Sequence, residues 1–203
     1  MAGAGGRVVL LNGLPASGKS VAARWIADQS PGSLCLDIDT LRTFLGDWRS
    51  DFRRAGEWVR PLALALLGAH AGQGGLVIIP QLFMDPTEVA PFRDEALKVG
   101  ATFEQFMLVV DPSAAHERLA RRAAASGPES VEATILGLID RAGGQEDLRD
   151  MQRRMTAAFS SDHTLTLVDT MHGSVESLIS DVAARVGVTS NGQPPGRGDT
   201  RAV

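Results

Sequence analysis

Gly13-Leu14-Pro15-Ala16-Ser17-Gly18-Lys19-Ser20 is the stretch from which the rest of the chain can be read. It fits the phosphate-binding pattern G-x-x-x-x-G-K-[ST] at every fixed position. Before it runs Val8-Val9-Leu10-Leu11, an apolar stretch that predicts a buried strand. After it, from Ser20 to Gln29, the residues Val21, Ala22, Trp25 and Ile26 are spaced for the apolar face of a helix. The motif therefore lies between a strand and a helix N-terminus, where backbone N–H groups and the helix dipole favour phosphate oxygens. Gly13 and Gly18 permit positive φ and close backbone approach. Lys19 is placed to reach β/γ-phosphates, and the Ser20 hydroxyl to ligate Mg²⁺. The expected nucleotide-binding set is Gly13, Pro15, Ala16, Ser17, Gly18, Lys19, Ser20 and Val21.

A length of 203 residues suits one α/β domain with a sizeable core. The formal net charge of −4 argues against a general nucleic-acid binder. Cys35 is the only cysteine, so no intrachain disulfide can form. In Leu34-Cys35-Leu36 it reads as a small core residue. No apolar stretch approaches the ~18–20 residues that span a bilayer. The segment Met1–Gly6 has no apolar core of signal-peptide type. A cytoplasmic location is the expectation.

Strand and helix signals alternate, which predicts a parallel sheet covered on both faces. Strands are expected at Ser33–Asp37, Leu76–Ile79 (stopped by Pro80), Phe103–Val110 and Thr164–Val168. Helices are expected over Phe52–Ala71, from Asp85-Pro86 to Gly100, and from Asp111 to Ala125. Val131–Phe159 reads as helical with an interruption at Gly143-Gly144, and Ser174–Val186 as the last helix. The tail Thr189–Val203, rich in Gly, Pro and polar residues, reads as disordered, and its Arg197-Gly198-Asp199 as chance. In an open doubly wound sheet, ligands collect at the carboxyl ends of the strands. Those ends carry the phosphate loop, Asp37 and Asp39, Pro80-Gln81, Asp111 and Asp169-Thr170.

Phosphoryl transfer to an alcohol needs an acceptor for the hydroxyl proton and a means of holding Mg²⁺. Asp39 is assigned the first duty, and Asp37, with Ser20, the second. The competing reading is that Asp39 caps a helix Thr40–Leu45. Arg42 is suited either to an acidic substrate group or to pairing with a carboxylate, and Gln81 to a substrate hydrogen bond. The strand ending at Pro80-Gln81 lacks the closing Asp of a motor or switch ATPase. Arg118, Arg121 and Arg122 share one helix, and spacings of three and four put Arg118 beside both others. At least one, with Arg118 and Arg122 the candidates, is expected to close over the transferred phosphoryl group. The four histidines show no metal-ligand spacing, although His172 falls where an adenine ring could rest.

Together, GLPASGKS, then LDIDTLR, then a helix with paired arginines resemble the P-loop small-molecule kinases. That group includes chloramphenicol phosphotransferase, gluconate and shikimate kinases and the kinase domain of polynucleotide kinase. Gly75–Pro80, Asp85-Pro86 and Phe103–Arg122 are similar to the middle of tunicamycin-resistance ATP-binding proteins. The resemblance implies a three-layer α/β fold with a five-stranded parallel sheet in the order 2-3-1-4-5. It also implies one domain over residues 1–188 with a helical lid at about 118–130. The implied activity is transfer of the γ-phosphate of ATP, with Mg²⁺, to a hydroxyl of a small polar molecule. An antibiotic or nucleoside-type acceptor is favoured. The rivals are a nucleotide, polynucleotide or sugar-nucleotide kinase, and an ATP-dependent antibiotic-binding protein without chemistry.

Overall fold

The computed structural model describes residues 5–169 and 175–188. Five parallel strands form one sheet: β1 (Arg7–Gly13), β2 (Leu34–Cys35), β3 (Leu76–Pro80), β4 (Thr102–Val109) and β5 (Leu165–Asp169). Their spatial order is β2-β3-β1-β4-β5, as the resemblance implies. Among the described residues eight helices connect or follow them: α1 (Lys19–Gln29), α2 (Ile38–Arg42), α3 (Phe52–Ala71), α4 (Pro86–Lys98), α5 (Pro112–Ser126), α6 (Val131–Ala142), α7 (Gln145–Ala158) and α8 (Val175–Val186).

The alternation of side chains along β1 builds the three layers. Val8 and Leu10 point to one face, where Val59 and Leu67 of α3 and Val89 and Phe92 of α4 cover them. Val9 and Leu11 point to the other, against Ala22 and Ile26 of α1 and Ile179 and Val182 of α8. All four of these β1 residues are fully buried. Each such side chain contributes about 1.5–3 kcal/mol by leaving water, which fixes the register of the central strand. A third cluster lies beyond the carboxyl end of the sheet, where Leu14, Val110, Leu119, Ile139 and Leu148 join α5, α6 and α7 to the phosphate loop.

Strand bounds differ from the sequence expectation by one or two residues, and two of these differences shape the site. Pro80 belongs to β3 and pairs with Leu11. The amide of Gln81 donates to Leu11 O and the carbonyl of Ile78 accepts from Leu36 N, so residue 80 faces the β2 side. The β2 ladder has already ended at Cys35 opposite Ile78, so no hydrogen bond is lost to the missing N–H. Conversely, β2 stops at Cys35 and not at Asp37. The reason is that Asp37 is the N-cap of α2, its carboxylate accepting from Asp39 N and Thr40 N. The cap turns the chain out of the sheet two residues early. Thr170, His172 and the tail from Thr189 lie outside the described residues.

Candidate functional site

The end of β1 is anchored by a residue that composition hides. Asn12 is fully buried in an otherwise apolar strand. Its Oδ1 accepts from Gly13 N at 2.8 Å and from Phe83 N at 2.9 Å. Its Nδ2 donates to Phe83 O at 3.0 Å. One side chain thus ties the phosphate loop to the segment after β3, which carries Gln81.

Beyond Asn12 the chain turns sharply. Gly13 has φ 145°, and a Cβ there would lie 2.7 Å from Leu108 O. Ala16 takes a left-handed φ of 57° and Gly18 one of 99°. Gly18 is the N-cap of α1 and supplies no side-chain acceptor, so the cap leaves the first-turn N–H groups to an anion. Lys19 is buried and folds back over the loop, donating to Gly13 O at 2.8 Å and Leu14 O at 2.6 Å. Burial pulls its pKa down to about 8, with Arg122 acting in the same direction and Asp39 and Asp37 opposing it. Val21 follows on the outer side of the first helical turn and is 37% exposed.

The two carboxylates after β2 have different surroundings. Asp37 divides its oxygens: Oδ1 caps α2 at 3.0 and 3.1 Å, and Oδ2 reaches Ser20 Oγ at 3.4 Å. The helix cap is therefore Asp37, not Asp39, and the helix it starts is Ile38–Arg42. Asp39 is free of that duty and pairs with Arg42 Nη1 at 2.6 Å. Burial raises the Asp39 pKa, Arg42 and Lys19 oppose the rise, and Asp37 and Glu132 add to it. Arg42 lies 3.9 Å over the Phe52 ring. Gly56 makes room for it, since a Cβ there would stand 2.6 Å from Arg42 Nη2.

These elements line a cavity of about 460 Å³, which also receives Arg122 from α5, Gln81 from the end of β3 and several side chains of α6. A volume of that order fits a small-molecule site. Of the lid arginines, Arg122 lines the cavity, whereas Arg118 and Arg121 are not among its lining residues. After Gly127, α6 presents Val131, Glu132, Ile135, Leu138 and Ile139 to the cavity. Arg49 Nε and Nη2 both donate to Glu129 O, at 2.8 and 2.5 Å. This ties the loop after α2 to the turn before α6.

Asn12, Gly56 and the α6 wall escaped the sequence reading. The signals were an amide in an apolar strand and the breadth of the apolar pattern in Val131–Ile139, wider than one packed face needs. As for a metal, Ser20 Oγ and Asp37 Oδ2 are oxygen donors of the kind Mg²⁺ takes. Among the described residues no three His, Cys, Asp or Glu side chains converge. The residues therefore fit a Mg²⁺ carried in with phosphate and water ligands, not one held by an all-protein cage.

The parallel sheet, its strand order and the loop between β1 and α1 define a P-loop kinase fold. The chain belongs to the AAA_33 family, described as an AAA domain, whose model matches residues 8–142. Among solved structures it is similar to the Deinococcus radiodurans tunicamycin resistance protein, with 18% identity over 90% of this chain and 97% of that one and a TM-score of 0.58. It is similar also to a gluconokinase from Sinorhizobium meliloti 1021, with 16% identity over 91% and 93% and a TM-score of 0.56. The Mycobacterium tuberculosis APS kinase, solved with AMPPNP and APS, matches with 17% identity over 91% and 99% and a TM-score of 0.57. No curated protein matches the sequence. Among the described residues no helix is long and apolar enough to cross a membrane.

Proposed function

We propose that the protein is an ATP- and Mg²⁺-dependent phosphotransferase acting on a hydroxyl of a small molecule. One observation carries this reading: Lys19, Ser20, Asp37, Asp39 and Arg122 line a single cavity. In this reading the loop amides and Lys19 bind the β/γ-phosphates, and Arg122 neutralises charge on the transferred group. Ser20 and Asp37 would hold Mg²⁺, which would supply neutralisation of the phosphate charge. Asp39 orients the acceptor hydroxyl and takes its proton as the new O–P bond forms and the bond to the β-phosphate oxygen breaks. A carboxylate whose pKa is raised by burial is a better proton acceptor than an ordinary one. The contact with Arg42 holds Asp39 in one orientation. Arg118, away from the cavity lining, is assigned support of the lid.

The acceptor class we favour is an antibiotic or nucleoside-type alcohol, supported by the likeness to the tunicamycin resistance protein. The test is a screen of nucleosides, amino sugars and antibiotics incubated with protein, ATP and Mg²⁺ and read by mass spectrometry. A gain of one phosphoryl group by any of them supports the reading. Tight binding without a mass change marks a sequestering protein and refutes it.

A further inference from the structure

The acceptor half of the cavity has a charge balance and a wall chemistry of its own. Its two arginines each face a carboxylate, although Arg42 Nε is buried without a hydrogen-bond partner. Arg42 is paired with Asp39 at 2.6 Å, and Arg60 with Glu88 at 2.7 Å. Glu132, half-buried on α6, lines the same space and has no ion-pair partner among the described residues. Its charge is felt at Asp39. The charges of Arg42 and Arg60 are thus offset by carboxylates and that of Glu132 is not, so a carboxylate or phosphate on the acceptor would meet no uncompensated cation except those at the phosphate loop and on α5.

The wall itself is apolar. Ile135, Leu138 and Ile139 of α6 face the cavity, with Leu82 also lining it. Leu138 is 40% exposed, so it offers this surface without being needed to close the core. Among the polar side chains beside this wall, Gln81 carries a buried acceptor without a partner. Gln81 is only 8% exposed, and its Oε1 is buried with no hydrogen-bond partner. Its Nε2 has only a long 3.5 Å contact to Leu82 O. Buried acceptors in folded proteins are almost always satisfied, so an orphan at a cavity wall points to a donor on the ligand.

Resting on the phosphotransferase reading, we propose that the acceptor is an amphipathic alcohol without negative charge. It lays a ring or other apolar group on α6 and donates a neutral N–H or O–H to Gln81 Oε1. The site selects by what it lacks, an uncompensated cation for an anionic acceptor, as much as by what it offers.

The experiment uses the full chain with Mg²⁺ and a non-hydrolysable ATP analogue for calorimetric binding, and Mg²⁺ with ATP for mass-detected transfer. Three classes of probe are compared: gluconate and glycerate; glucose and ribose; uridine and N-acetylphenylalaninol. The third class should bind at least tenfold tighter than the other two. Methylating the N–H of either third-class probe should cost about tenfold, and Gln81→Leu should erase that difference. Leu138→Ser, at a partly exposed position that leaves folding intact, should weaken both ring-bearing probes severalfold. Glu132→Gln should improve gluconate binding. Equal or tighter binding of the anionic probes, or no binding of the third class, overturns the proposal. Third-class binding without phosphoryl gain supports the assigned ligand chemistry and overturns the kinase reading instead. Transfer to gluconate alone does the reverse.

Discussion

The two halves of the cavity are built on opposite plans. The donor half is one contiguous stretch, Gly13–Ser20, and most of its polar groups are backbone. Its shape comes from φ angles at Gly13, Ala16 and Gly18. The acceptor half is assembled from α2, α3, the end of β3 and α6, and nearly all its polar groups are side chains. A backbone cradle recognises what all nucleoside triphosphates share, and few substitutions can alter it. A side-chain wall can be rewritten one residue at a time without disturbing the sheet behind it. Donor chemistry is therefore general in such a fold, and acceptor chemistry is local to each chain.

The largest test of that division is Asp39→Asn. It should lower phosphoryl transfer by roughly 10²–10⁴-fold while leaving nucleotide affinity within about twofold, because the lost group acts on the acceptor only. Single-turnover transfer alongside calorimetric nucleotide binding separates the two effects. Full activity in this variant would remove Asp39 from its role. Lys19→Ala should strike the other half, cutting turnover by roughly 10²–10³-fold and weakening nucleotide binding with it. Unchanged kinetics there would count against the whole site.

Asn12→Ala tests the tie between the halves. It leaves Gly13 N, Phe83 N and Phe83 O without their buried side-chain partner. The expected cost is about 2–3 kcal/mol of stability, read by urea unfolding. Acceptor KM should rise more than nucleotide KM, since the segment carrying Gln81 is released while the loop keeps its own turns.

The smallest effect is in the pH dependence. With a folded pKa of about 8 against 10.5 for a free lysine, Lys19 carries a charging penalty in the nucleotide-free fold. The penalty is full below pH 8 and is relieved as pH rises towards 10.5. The Lys19 contribution should therefore favour the nucleotide-free protein increasingly over that window, and the wild-type-minus-Lys19→Met difference in stability isolates it. Nucleotide affinity should move the other way, weakening by up to about tenfold per pH unit above 8 as binding comes to require proton uptake. A flat affinity between pH 7 and 9.5 would show that Lys19 keeps its proton throughout.

What the sequence made legible follows the same division. The loop and its flanking strand and helix could be expected because each is a local pattern, and the strand order because the family resemblance implies it. Phe52–Ala71 was expected from its apolar spacing and found as α3, with Asp51 as its N-cap. Asp37 and Asp39 could be given separate duties, but which of them caps the helix was not legible, since the turn that Asp37 itself makes decides it. Asn12 went unnoticed because Phe83, the partner it ties to the loop, is 71 residues away. The α6 wall was read as plain helix because an apolar residue facing a cavity and one facing a core look alike in sequence.

The Arg49–Glu129 contact bears on how α6 is held. It joins the turn after α2 to the turn before α6 through one half-exposed arginine, whose acceptors are the Glu129 carbonyl and, at 3.7 Å, the exposed Glu129 carboxylate. Exposed contacts of this kind are worth about 1–2 kcal/mol, since water replaces them. They are weak beside the packed apolar joint of Leu119, Ile139 and Leu148 that holds α6 to its neighbours. The far end of α6 is thus fastened by burial and the near end by contacts that water can replace.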